Sequence, residues 1–150
     1  MIIREIKKEL IEKEPYQVWN EFTDLIATEA YEDLNDIQRK AHLIFWYDSE
    51  VNNGGHLQYF ENQGVNHLSE TINALRDLSA FPQAEILEKA RNQFSIKKRE
   101  KIMSVESYVD EALEGEYEDF DNEYYEVTPS ITELLEKYLE KHKEDFVKII

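Results

Sequence analysis

The side chains best equipped for chemistry gather in residues 49–64. Glu50, flanked by Asp48 and Glu61, could supply the paired carboxylates that general acid–base catalysis uses. No nucleophile with a base partner accompanies them, however. The four histidines are His42, His56, His67 and His142, and no pair has a metal-ligand spacing such as His-Glu-x-x-His. They are expected to be surface or internally satisfied histidines. Asn52-Asn53-Gly54-Gly55 could cradle a phosphate, but it lacks both the Gly-x-x-x-x-Gly-Lys spacing and a nearby lysine. Cysteine is absent, so neither thiolate chemistry nor disulfides are available. These residues point away from catalysis, and no metal or cofactor is expected.

The same stretch makes a stronger demand on the backbone. It holds three of only four glycines and follows the most apolar run, Ala41 to Tyr47. The pattern predicts a buried helix ending near Asn52, with Asn53 and Gly54 turning left-handed to close it. A short second helix runs from His56 to Asn62 and stops at Gly64. Asn52, Gln58 and Asn62 are expected to bond carbonyls left open at this corner, and Glu50 to bond backbone N–H groups there.

Around this corner the chain reads as helices throughout. Residues 1–14 place Ile2, Ile3, Ile6 and Leu10 on one face, and Pro15 starts a helix carrying Val18, Trp19, Phe22, Leu25 and Ile26. Asp33 to Asp36 supply caps for the central helix, and Asn66 caps the next, which buries Leu68, Ile72, Leu75 and Leu78. Phe81-Pro82 begins another with Ile86, Leu87, Ala90 and Phe94 inward, followed by a helix over about 102–113. Residues 116–126 read as a loop passing into a short helix. Thr128-Pro129-Ser130-x-x-Glu133 then starts the last helix with a cap, an N1 proline and a capping box, and Phe146 and Val147 lie on its core face. The expected fold is all-α, a single domain over 1–150 of about seven to eight helices, with N-terminal helices in 1–36.

The pattern of Glu50, Asn52, Asn53, Gly54, Gly55, Gln58, Tyr59, Phe60, Asn62 and Gly64 resembles the signature of a bacterial family of small acidic helical proteins. That family is known from a DNA mimic and is otherwise largely of unknown function. Weaker matches follow in order: Glu70 to Leu75, Ala84 to Ala90, Phe120-Asp121-x-x-Tyr124-Tyr125, and Tyr138 to Phe146. Together they cover about residues 37–150. His56 departs from the pattern, where an aromatic is usual. The resemblance implies a mimic that binds a basic DNA-binding protein, such as a helix-turn-helix regulator.

Charge supports a basic partner independently. The net charge is −16, and its distribution is uneven. Residues 15–50 carry eight acids against two bases, and residues 101–127 carry ten acids against one, whereas 51–100 balance at six each. Clustered carboxylates repel one another and lower stability, so stability alone does not favour them. Such a surface repels nucleic acid and anionic membranes. The expected contact residues are Glu114, Glu116, Glu118, Asp119, Asp121 and Glu123, with Glu29, Glu32, Asp33 and Asp36 as a second patch. An immunity or anti-defence factor that blocks a nuclease or toxin would use the same face, and an enzyme centred on the glycine corner is the third reading. The longest apolar run is too short to cross a bilayer, and Met1-Ile2-Ile3-Arg4 opens no signal peptide. A cytoplasmic monomer or homodimer is expected.

Overall fold

The structure, a computed structural model, describes residues 2–96, 106 and 115–150. The expected helix over 102–113, the basic run 97–101 and Glu114 lie outside the described residues, apart from Glu106. The fold is all-α, with seven α-helices and one pair of three-residue strands among the described residues. No helix among them is long and apolar enough to cross a membrane. The chain divides into two compact units, residues 1–46 with 129–150, and residues 47–128.

The first unit holds β1 (Arg4–Ile6), α1 (Lys8–Lys13), α2 (Gln17–Thr28), the start of α3 (Asp36–Gln63), a late helix (Ile131–His142) and β2 (Val147–Ile149). Phe22, Leu25 and Ile26 are buried, as the spacing along α2 requires. Phe22 meets Phe146 edge-on, with ring centroids 4.7 Å apart.

Both ends of this unit depart from the helical reading. Residues 4–6 form a strand that pairs in parallel with 147–149, matching Arg4 to Val147 and Ile6 to Ile149. Arg4 N–H donates to the Phe146 carbonyl at 2.9 Å and Ile150 N–H to the Ile6 carbonyl at 2.9 Å. Helix α1 therefore starts only at Lys8 and buries none of its residues. The last helix ends at His142, and Phe146 and Val147 reach the core from beyond a 3-10 turn. Isoleucine and valine suit a pleated surface as well as a helix face, and three residues are too few to show a strand period. Pro129 lies outside its helix rather than at N1, because Ser130 is the cap and accepts Glu133 N–H at 3.2 Å.

Gln38 joins the termini to α3. Asn35 Oδ1 accepts Gln38 N–H at 2.8 Å, and Gln38 Oε1 accepts Asn35 N–H at 3.1 Å, a reciprocal cap at the start of α3. The Gln38 amide also donates to the carbonyls of Ile2 at 2.7 Å and Asp145 at 2.8 Å. This fully buried side chain thus has both of its amide donors and its carbonyl oxygen engaged.

The second unit holds the rest of α3, then α4 (Leu68–Asp77), α5 (Phe81–Ile96) and α6 (Glu118–Glu126); the late helix of the first unit is α7. Leu68, Ile72 and Leu75 are buried as expected, while α4 is preceded by His67 rather than capped by the Asn66 side chain. An aromatic cluster fills this unit. Tyr47 packs edge-on against Tyr59 at 4.9 Å and Tyr124 at 5.4 Å, and Phe60 stacks on Phe94 at 4.7 Å.

Candidate functional site

The glycine corner lies within the second unit and bends α3 in two. The backbone leaves helical geometry at Gly54 and Gly55, and Gly55, at φ 74°, is the left-handed residue rather than Asn53 or Gly54. Asn53 stays in the helix, because only a residue without Cβ takes this conformation at no cost. Gly64, at φ 64°, ends α3 where expected, with its N–H on the Phe60 carbonyl at 3.0 Å.

Glu50 organises one side of the corner. Its side chain accepts Gln58 Nε2 at 2.7 Å, Asn62 Nδ2 at 2.8 Å and Gln63 Nε2 at 3.4 Å. Asn53 Nδ2 in turn donates to Gln58 Oε1 at 2.9 Å. The expected bonds from Glu50, Gln58 and Asn62 to the backbone are therefore replaced by bonds among the three side chains. The amides come from the second half of α3 and the carboxylate from the first, so this network sets the bend. Asn52 remains exposed beside Asp48, while Tyr59 and Phe60 are buried in the aromatic cluster.

The other side is held by α6. His56 is fully buried, and Asp121 Oδ1 accepts both its backbone N–H at 2.8 Å and its Nδ1 at 2.6 Å. Its Nε2 meets the Tyr47 hydroxyl at 2.7 Å. The Nδ1–H tautomer satisfies every group: Nδ1 donates to the carboxylate and Nε2 accepts from the phenol. Asp121 thus supplies, from another helix, the anion that the free N–H groups at the start of the second half of α3 attract. Two more bonds fix α6: Tyr124 hydroxyl to Asp48 Oδ1 at 2.5 Å, and Tyr125 hydroxyl to the Val51 carbonyl at 2.8 Å.

Burial shapes the titration of this cluster. It raises the Asp48 carboxyl above the usual carboxylate value, while the bonds from Tyr124 and Asn52 pull it partly back. Burial likewise lifts the Tyr47 and Tyr124 phenols well above 10, and pushes Tyr59 up to about 12. These phenols keep their protons and serve as donors.

A cleft of about 440 Å³ opens between the corner and the start of α6, lined by Gly54, Gly55, Glu116, Glu118, Asp121 and Tyr125 among others. It does not converge on Glu50, His56 and Gln58. Both His56 nitrogens are engaged, and among the described residues the cleft lining includes no serine, threonine, cysteine, histidine or lysine.

The expected contact residues separate into kinds. Glu118, Asp119 and Glu123 are exposed on α6, and Glu116 is half-buried just before it. The ion pairs among the described residues include none of Glu118, Asp119 and Glu123. Asp121, expected to be exposed, turns inward to His56, its side chain 21 % exposed. Its position explains this: Asp121, Tyr124 and Tyr125 share one helix face at i, i+3 and i+4, and that face packs on α3. The second patch belongs to the first unit. There Glu29 pairs with Arg4 at 2.9 Å, and Asp36, almost fully exposed, stands 3.7 Å from Arg39. Glu32 and Asp33 are exposed on a 3-10 turn.

No curated protein and no solved structure matches the chain. One family model does, that of the DMP19-like proteins, over residues 32–142. This span contains the glycine corner, its Glu50 network and the α6 latch, and on that match the chain belongs to the DMP19-like family.

Proposed function

We propose that this protein is a non-catalytic acidic decoy that occupies the DNA-binding surface of a basic protein, such as a helix-turn-helix regulator. The observation that carries the reading is the outward face of α6, where Glu118, Asp119 and Glu123 stand exposed without cationic partners among the described residues. Duplex DNA presents one phosphate charge per roughly 1.7 Å of axis, and a helix rises about 1.5 Å per residue. Closely spaced carboxylates on a helix face therefore approach the charge density of the duplex over one or two turns. Repulsion within such a face lowers stability, which suits a surface kept for binding.

The test begins with a low-salt pull-down from lysate, followed by a gel shift in which the protein competes with DNA for each captured partner. The expected partner is basic, is released by added salt and loses its DNA as the protein is added. The protein itself does not retard DNA. A variant with Glu118→Gln, Asp119→Asn and Glu123→Gln should weaken capture while unfolding at a denaturant midpoint no lower than the parent's. Asp121 is left intact because it is tied to His56. Partners that are neutral or acidic, or a triple-amide variant that competes as well as the parent, would overturn the reading. A captured nuclease or toxin whose activity is blocked would favour the immunity role.

A further inference from the structure

We propose that Asp121 is a positioning residue of the acidic surface and not one of its contacts. Its carboxylate, held twice by His56, sets the rotation of α6 and so determines which carboxylates face outward. This rests on the decoy reading for its functional meaning, but the latch can be measured in the free protein.

Helix α6 has little reason to hold its shape alone. It has nine residues, and isolated helices shorter than about 12–15 residues are marginal in water. It contains no lysine or arginine, and Asp119 and Glu123 are like charges at i, i+4, a spacing that weakens a helix. Its only buried residue is Tyr124. It packs on α5, and side-chain bonds then tie it to α3: Asp121 to His56, Tyr124 to Asp48 and Tyr125 to Val51.

The Asp121 bonds differ from the other two in two respects. One oxygen takes two donors from the same residue, and the ring donor is fully shielded from water; like the Tyr124 bond to Asp48, they end on a carboxylate. The ring is also fixed at its far side by Tyr47. Gly55 makes the approach possible, since a Cβ there would run into the Asp121 carboxylate. A residue whose charge would otherwise add to the acidic face is directed inward to orient it.

The decisive variant is His56→Phe, which lies in the core and changes no acidic residue. Phenylalanine keeps the backbone N–H bond and packs among Tyr47, Phe60 and Tyr124, but removes the ring donor. Amide hydrogen exchange over residues 118–126 should accelerate about tenfold or more, as expected on losing a hydrogen bond to a charged group. Exchange in α4 should stay near the parent's. Competition against the folded basic partner should weaken, while affinity for flexible poly-L-lysine, which reads charge alone, stays unchanged. Glu123→Gln should show the opposite signature, weaker binding with α6 exchange no faster than the parent's.

Asp121→Asn provides a second test if His56→Phe does not fold. It should accelerate α6 exchange more than Glu123→Gln does, although each removes one charge. Unaltered α6 exchange in a folded His56→Phe protein, or equal exchange in Asp121→Asn and Glu123→Gln, would overturn the proposal. Absence of any basic partner would instead overturn the decoy reading, and the exchange data would still decide the latch.

Discussion

Gly55 and Gly64 share a positive φ, yet their surroundings separate two kinds of cost. At Gly64 a Cβ would meet nothing within 4 Å, so Gly64→Ala pays only backbone strain, about 1 kcal/mol. Gly55, at φ 74° and ψ −175°, lies in a region essentially confined to glycine, and there strain combines with displacement of the Asp121 carboxylate, so Gly55→Ala should cost about 3 kcal/mol or more. Urea titration of both variants checks the difference; equal midpoints would show that the Asp121 contact does not matter. Asp48 gives a prediction with a sign. Its folded-state pKa is raised, so its contribution to stability is present below the unfolded value of 3.8 and is lost as pH rises through the folded one. Ionised Asp48 therefore works against the fold at neutral pH. Asp48→Asn keeps an acceptor for Tyr124 and should leave the neutral-pH stability within about 1 kcal/mol of the parent or above it. It should also remove part of the stability gained on acidification toward pH 4, as thermal melts across that range would reveal.

At the scale of elements, the sequence made some features plain and hid others for definite reasons. Phe22, Leu25 and Ile26 repeat at helical spacing, and α2 follows directly. The glycine pair announced the corner because few other uses exist for adjacent glycines in a glycine-poor chain. The strands were hidden because Ile3, Ile6 and Leu10 fit a helix stripe equally well, and the partner of β1 lies at the far end of the sequence. His56 and Asp121 are 65 residues apart; from sequence alone Asp121 is expected on the surface, and His56 as a surface or internally satisfied histidine with no partner named. A signal was present: Asp121 shares a helix face with Tyr124 and Tyr125, where an isolated acid calls for an interior partner. Gln38 was equally obscure, being a polar residue in a helix whose partners sit at both termini. Gln38→Leu should cost about 2 kcal/mol by leaving these backbone groups unsatisfied. Chemical denaturation measures it, and exchange at residues 4–6 and 147–149 should rise alongside.

Over the whole molecule, charge is the dominant physical condition. A net charge of −16 opposes compaction, and ion pairs relieve it unevenly. Arg4 alone stands within 4 Å of Glu21, Asp24 and Glu29, so part of the acidic character of the first unit is spent on holding β1 to α2. The exposed carboxylates of α6 have no such relief among the described residues. Sodium chloride raised from low to moderate concentration should therefore increase the melting temperature by a few degrees, through screening. The Glu118, Asp119 and Glu123 amide variant should start higher and respond less. A parent melting temperature that is flat or falling with salt would mean that its carboxylates are already compensated.

The buried imidazole also equips the protein with an internal reporter. The Nδ1 proton of His56 lies in a short bond to a carboxylate and is sealed from solvent, so it should resonate far downfield and exchange slowly. Histidine side chains rarely show such a proton in water, and the other three in this chain are at least partly exposed. One isolated line in a proton spectrum would therefore record whether α6 is seated, without label, probe or known partner. Its loss on titrating in a binding protein would reveal a rearrangement at the corner, and its persistence would mean that the acidic face is engaged as a rigid surface.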